Sequence, residues 1–335
     1  MSSAAVVILN WNGAHHLRRF LPGVLAHTPG EVRIVVADNG STDDSLALLR
    51  SEFPSVEIVA LERNYGFTGG YNRALKRIEA DRYVLMNSDI APLPGWYPPL
   101  AEYLDSHPDH AAVMPKIRAL DSPARFEYAG ACGGFVDALG YPFCRGRILS
   151  TVETDQGQYD SPRDVFWASG ACFCCRAADF HAAGGFDEAF FAHMEEIDLC
   201  WRMQLRGRKI GVEPRSVVQH LGGGTLAADS PRKLYLNFRN NLSMLYKNLP
   251  AGSLWWKLPL RMILDGCSAL VYLATGHLDA FRAVWNAHRD FRRRLPELRP
   301  VRRSVQEGRS AEPQGIYRGS VLLRYLFRKR FGNMM

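Results

Sequence analysis

The sequence predicts an α/β protein with a doubly wound, mostly parallel sheet of Rossmann-like type and a helical, basic region at its C-terminal end. Three observations lead there. Apolar runs alternate with helix-patterned segments through the first hundred residues, and each run ends in small polar residues. The chain of 335 residues, 47% hydrophobic and 22% charged, is long enough to bury a large core. From about residue 251 onward the character changes to amphipathic and arginine-rich segments, which divides the chain into a main domain, 1–250, and an appendage, 251–335.

The elements follow in order. "AAVVILN" (4–10) is a strand, and "HHLRRFLPGVLAH" is a helix with a proline near its middle. "VRIVVAD" (32–38) is a second strand, followed by "STDDSLALLRSEF", which opens on cap residues. "VEIVAL" (56–61) is a third strand, and "FTGGYNRALKRIEA" a glycine-rich entry into a helix. "RYVLMNSD" (82–89) is the fourth. Residues 115–163 show no periodicity that places elements. "DVFWASGACFCC" (164–175) reads as one or two strands, "MEEIDLCWRMQLRG" (194–207) as a helix closed by Gly207, and "KIGVEP" and "SVVQH" as two short strands.

In a parallel sheet all four early strand ends lie on one edge, where ligands bind in open α/β folds. They bring together Asn10-Trp11-Asn12-Gly13, Asp38-Asn39-Gly40-Ser41, Arg63-Asn64-Tyr65-Gly66 with Gly69-Gly70, and Asn87-Ser88-Asp89. Taken singly, each is ordinary turn and cap chemistry. Taken together, they form one polar crevice. No Gly-x-Gly-x-x-Gly follows the first strand and no Walker-type loop occurs, which argues against a dinucleotide oxidoreductase or a phosphate-loop enzyme. A diphosphate bound without such a loop needs its charge offset by a divalent cation with oxygen ligands, so Asp89 reads as a metal ligand. Later, Glu195, Glu196 and Asp198 open a helix, and His220 ends a strand before three glycines.

The charge is uneven. Residues 229–335 hold 20 Lys+Arg against 7 Asp+Glu, net +13, and the first 228 hold 21 against 27, net −6, together the +7 of the whole. In "SLWWKLPLRMILDGCSALVYLATG" the polar residues Lys257, Arg261, Asp265 and Ser268 recur at helical spacing on one face. Two expectations follow: a helical appendage packed on the main domain, or an interfacial helix on an anionic membrane, favoured by Trp255-Trp256 beside Lys257. The charged interruptions argue against a spanning helix. The first ten residues lack a secretory signal pattern, and seven cysteines without a framework suit a reducing compartment, so a cytoplasmic protein is expected. Nucleic acid as a partner rests on the tail alone, which lacks interleaved aromatic stacking residues.

The motifs "VVILNWNG", "VVADNGSTDDS", "ERNYGFTGGYNRAL", "VLMNSD", "WASGACFCCRAADFHAAGGFDEAFFAHMEEIDLCWRMQLRG" and "VVQHLGGGT" resemble, in order, the hallmarks of family 2 inverting glycosyltransferases with the GT-A fold, in particular their rhamnosyltransferase-like branch. The resemblance spans about residues 4–245. It implies transfer of a sugar from a nucleotide-diphosphate donor, dTDP-rhamnose in that branch, to a lipid-linked or polysaccharide acceptor of the cell envelope. It implies that Asp38 contacts the nucleotide base, with Asn10, Asn39, Asn64, Gly69, Asn87 and Ser88 around the nucleotide. Asn87-Ser88-Asp89 stands at the Asp-x-Asp position with Asn for the first Asp. Asp89 and His220 would then hold Mg2+ or Mn2+, and Glu196 would be the catalytic base. Trp167, Ser169, Gly170, Glu195, Asp198 and Arg202 would line the substrate cleft, with Asp198 orienting the loop or an arginine, Arg202 by spacing. A catalytically silent carbohydrate- or nucleotide-binding relative is the alternative.

Overall fold

The computed structural model describes residues 2–222, 230–327 and 331–332. In chain order its elements begin with β1 (Ala4–Asn10), α1 (Ala14–His27), β2 (Arg33–Asp38), α2 (Ser45–Glu52), β3 (Glu57–Ala60), α3 (Gly66–Leu75) and β4 (Arg82–Asn87). Next come β5 (Ile90–Pro92), α4 (Tyr97–Ser106), β6 (His110–Ala119), β7 (Gly134–Asp137), β8 (Pro142–Cys144), β9 (Arg147–Ile148) and β10 (Thr151–Val152). Then follow β11 (Arg163–Val165), β12 (Cys172–Arg176), α5 (Ala177–Ala182), α6 (Glu195–Leu205) and β13 (Lys209–His220). The chain closes with α7 (Pro231–Asn248), α8 (Ala251–Ala274), α9 (Leu278–Glu307), β14 (Ile316–Tyr317) and α10 (Val321–Phe327).

The main sheet runs β11-β13-β6-β12-β4-β1-β2-β3, with β5 beside β13. β3, β2, β1 and β4 are mutually parallel; β1, β2 and β4 are buried on both faces, which is why their sequences read as continuous apolar runs, whereas β3 is the partly exposed edge strand. β12 pairs antiparallel with both β4 and β6, so the sheet is mostly rather than wholly parallel. Its buried Cys172, Cys174 and Cys175 are free thiols packed as small apolar side chains. The two short strands expected after residue 208 are one strand, β13, whose register slips against β6 between Glu213 and Val217. That bulge is why the apolar alternation broke there.

The unplaced stretch 115–163 completes β6 and forms most of a second sheet, β10-β9-β8-β7-β14. Its strands are two to four residues long, too short to show a period. The last strand comes from the C-terminal region: Ile316 and Tyr317 pair parallel with Val136 and Asp137. Ser310 N also donates to Leu205 O at 2.8 Å, so residues after α9 return along α6 to the body.

Helix α7 docks on α6 through a buried ionic network. Asp198 accepts from Arg202 Nε at 2.8 Å, Asn248 Nδ2 at 2.8 Å and Lys247 Nζ at 3.0 Å; Lys247 also pairs with Asp187. Lys247 and Asp198 are both 0% exposed. Two carboxylates and two cations balance, so removing one leaves an unpaired buried charge. Lys247→Met should therefore cost about 3–5 kcal/mol of stability, measured as a fall in the urea midpoint at unchanged m value. A loss within about 0.5 kcal/mol, typical of a surface change, would contradict this role.

Candidate active site

Four loops meet at the carboxyl edge of β1, β2, β3 and β4. Asn10 Nδ2 donates to Asp38 Oδ1 at 3.1 Å and to Ser41 Oγ at 3.2 Å, and Asp38 Oδ2 accepts from Ser41 N at 3.0 Å. Asn39 Nδ2 donates to Asn64 Oδ1 at 3.1 Å, and Asn39 Oδ1 accepts from Tyr65 N at 3.0 Å. The strand-end polar residues thus bind one another across strands and stiffen the crevice floor. Asn10 Oδ1 is buried with no partner, and Asp38 is 1% exposed. Gly70 rather than Gly69 faces this network: a Cβ at 70 would come within 2.8 Å of Leu9 and 2.9 Å of Asn39, whereas one at 69 would meet Tyr65 and Arg73. Ser88 lies next to the β1 loop, 3.9 Å from where a Cβ on Gly13 would stand.

At the β4 end, Asp89 Oδ1 and His220 Nε2 are 3.1 Å apart, and Asn87 Nδ2 is 3.5 Å from the same ring nitrogen. Glu127 Oε1 stands 3.4 Å from His220 Nδ1. Burial opposes charge on His220, but hydrogen bonds and charge from Asp89 and Glu127 outweigh it and push the imidazole up to about 10. Burial likewise raises Asp89, and the His220 hydrogen bond and charge overcome it, leaving the carboxyl below its ordinary value. Glu127 belongs to this site yet sits in the stretch without periodicity, where no motif marked it. The rest of the glycine-rich loop after His220, residues 223–229, lies outside the described residues. Among the described residues no three His, Cys, Asp or Glu are grouped so as to hold a metal ion. Asp89 and His220 are close enough to share one cation that also takes other oxygen ligands, with His220 giving up its proton to serve as a donor.

The α6 carboxylates diverge. Asp198, enclosed by Lys247 and Arg202, is held below its ordinary value against the effect of burial. Glu196 is half-buried, and its Oε2 is buried with no partner. Burial pushes it up to about 7. Glu195 is 5% exposed and pushed well up by burial and by the neighbouring Glu196 charge. Gly170 packs against Glu196; a Cβ there would lie 3.7 Å from both Glu196 Cβ and the Phe67 ring.

Several residues expected to line the substrate cleft are buried in the body. Trp167 packs its ring where a Cβ on Gly134 would fall and donates Nε1–H to Phe135 O at 3.0 Å. Asp198 is fully buried, and Arg202 donates to Asp198, Ala183 O and Gly185 O, so both serve the α6–α7 network. Their pairing is the one the four-residue spacing indicated. Ser169 is 1% exposed, donates to Ala129 O and accepts from Ala171 N at 3.2 Å, fixing the turn that carries Gly170.

The segment before α6 is strained. Phe191, His193 and Met194 have φ of 68°, 69° and 70°, a region that non-glycine residues rarely adopt. Asn240 Nδ2 of α7 donates to Phe190 O at 3.1 Å and to Ala192 O and His193 O, both at 2.8 Å. Phe191 O accepts from Phe67 N at 2.9 Å, tying the segment to the start of α3. Arg239 and Arg294 hold Ala189 O from α7 and α9. Sequence reasoning missed Asn240; adjacent asparagines in a helical pattern, "NFRNN", were the available signal.

Residues 5–160 match the glycosyl transferase family 2 domain. The chain is 28% identical over 279 residues to the N-acetylglucosaminyl-diphospho-decaprenol L-rhamnosyltransferase of Mycobacterium tuberculosis, covering 79% of this chain and 90% of that protein. It is 26% identical over 224 residues to the pre-mycofactocin glycosyltransferase of the same organism, covering 64% and 42%. In structure it is similar to Staphylococcus aureus TarS residues 1–349 in complex with UDP, at TM-score 0.55 and 18% identity, over 91% of this chain and 87% of that one. It is also similar to GalNAc-T7 with UDP, GalNAc and Mn2+, at TM-score 0.59 and 17% identity, over 74% of this chain and 48% of that one.

If Glu196 must be ionised to act, kcat/KM for sugar transfer should rise with pH through about 7 and level off above it. Glu196→Gln should abolish that rise and lower turnover by roughly 10²–10⁴-fold while leaving donor binding nearly intact. Turnover near that of the parent, or an unchanged pH profile, would remove Glu196 from the chemistry.

The fold is that of the GT-A glycosyltransferases with added C-terminal helices. Residues 5–160 carry the glycosyl transferase family 2 pattern, and the chain as a whole is similar to a rhamnosyltransferase.

Proposed function

We propose that this chain transfers a sugar, with dTDP-rhamnose the expected donor, to a hydroxyl of a lipid-linked or polysaccharide acceptor in cell-envelope glycan synthesis. The transfer inverts the anomeric centre in a single displacement, at the cytoplasmic face of the membrane. The observation that carries this reading is Glu196, a half-buried carboxylate pushed up to about 7, with an unpartnered oxygen and Gly170 packed beside it. Such a group is neutral enough to sit in a cleft and basic enough to accept a proton near neutral pH. The printed name of the mycobacterial relative, a rhamnosyltransferase acting on a diphospho-decaprenol-linked sugar, supports the donor and acceptor classes.

The roles follow from position. Glu196 accepts the acceptor hydroxyl's proton as that oxygen attacks the anomeric carbon. Asn10, Asp38, Asn39 and Asn64 shape and stiffen the nucleotide pocket, with Asn87 and Ser88 at its β4 side. Asp89 and His220 would hold a Mg2+ or Mn2+ ion, which would offset the negative charge that grows on the departing diphosphate. Mn2+ and UDP in the GalNAc-T7 structure support a cation and a nucleotide diphosphate in this fold. Glu195, the more buried neighbour, is pushed up by burial and by the Glu196 charge, which disfavours two charges side by side there.

Thermal denaturation should be followed with dTDP, UDP and GDP, each with and without Mg2+ or Mn2+. A ligand at a hundred times its Kd stabilises the folded state by about 2.7 kcal/mol. We expect a rise in the midpoint that needs both metal and one nucleotide, and that Asp89→Asn abolishes. No rise with any combination would overturn the donor-site assignment.

A further inference from the structure

Helix α8 is inverted relative to a surface helix. Arg261 and Asp265, which the sequence places on a polar face, are 4% and 0% exposed. Arg261 Nε donates to Asp265 Oδ1 at 2.8 Å, and its guanidinium lies 3.6 Å from the Tyr141 ring centroid. Asp265 Oδ2 is 3.5 Å from His288 Nε2 of α9, so the polar face is turned inward and paired. The apolar face is turned outward. Trp255 is 74% exposed, Ile263 63%, Leu270 61% and Val271 62%, and Trp256 and Leu260 are also exposed. These positions recur at helical spacing and form one stripe along a helix of 24 residues, about 36 Å long. On α9, Trp285 is 65% exposed and shares a face with the exposed Arg282 and Arg289, three and four residues away.

A stripe of this size facing water is disfavoured unless something covers it. Charge selects the cover. Residues 251–335 hold 16 Lys+Arg against 6 Asp+Glu. A second copy of this chain would set two strongly basic regions against each other, whereas an anionic lipid surface complements them. Among the described residues no helix is long and apolar enough to cross a membrane, so the stripe suits a helix lying in the plane of the surface. Tryptophans flanked by cations are the side chains that settle at the head-group level.

We propose that the outward face of α8, together with Trp285 of α9, docks in the plane of an anionic bilayer, with the Arg261–Asp265 pair turned away from lipid and locked onto Tyr141. The inference deepens the membrane-surface part of the proposed function by naming the surface and its orientation. It also links membrane and cleft, because Arg294 of the same α9 holds Ala189 O at the start of the strained segment that leads to Glu196.

The test uses the full chain and no sugar transfer, so it can fail without the glycosyl-transfer reading failing. Co-sedimentation is measured with vesicles of phosphatidylcholine alone and of phosphatidylcholine with phosphatidylglycerol, for the parent and for Ile263→Glu/Leu270→Glu. Both substituted side chains are exposed, so the melting midpoint should stay unchanged. The parent should bind the anionic vesicles and lose binding with added salt, and the double variant should bind about tenfold more weakly or less. Brominated lipid should quench parent tryptophan fluorescence. Equal vesicle binding by the two proteins would overturn the proposal. So would a parent that ignores vesicles but forms a dimer, seen by analytical ultracentrifugation, that the double variant loses.

Discussion

The side-chain amide of Asn240 spans the carbonyls of Phe190, Ala192 and His193, and the approach to Glu196 depends on that contact. Three non-glycine residues in this segment have positive φ, each at a cost of about 1–2 kcal/mol. One hydrogen bond contributes only about 1 kcal/mol net, so no single partner could hold the segment. Asn240, Arg239 and Arg294 hold it from the C-terminal helices, and the backbone amide of Phe67 holds it from the crevice side. Strain held by several elements at once is characteristic of functional sites. Here it connects the start of α3, the helix that carries Glu196 and the C-terminal helices.

The same helix start shows how partners, rather than residue type, set the chemistry. Within four residues Glu195, Glu196 and Asp198 share one helix N-terminus, whose dipole favours negative charge by about 0.3–1 kcal/mol. Asp198 has Lys247, Arg202 and Asn248 and stays charged. Glu195 and Glu196 have no such cations, and for them burial outweighs the dipole. One carboxylate is structural, one is kept neutral, and one is poised near neutrality. The Asp198 network is what fixes α6 at the angle that presents the other two.

Much of this was legible in the sequence. The parallel strands β1, β2 and β4 were, because burial on both faces makes each an unbroken apolar run ending in turn residues. Asp89 and His220 were legible as strand-end residues of one crevice, and they lie within hydrogen-bonding distance. The second sheet was hidden because strands of two to four residues show no period. Trp167, Asp198 and Arg202 were recognisable as parts of a motif but not as interior, since a motif preserves scaffold residues along with those that meet substrate. Asn240 and Glu127 act through partners far along the chain, which local pattern does not encode. The polar face of α8 was read at the right spacing, but periodicity identifies two faces of a helix without saying which one meets the core.

A crevice stiffened by cross-strand amides, a carboxylate–imidazole pair at its β4 end, and Glu196 on a strained approach are the features on which the proposal of single-displacement sugar transfer rests. The most direct measurement is the anomeric configuration of the newly formed glycosidic linkage, read by proton NMR on the purified product. The account predicts a configuration opposite to that of the nucleotide-bound donor sugar. Retention would contradict it, because a lone base at Glu196 has no means of displacing twice at one carbon.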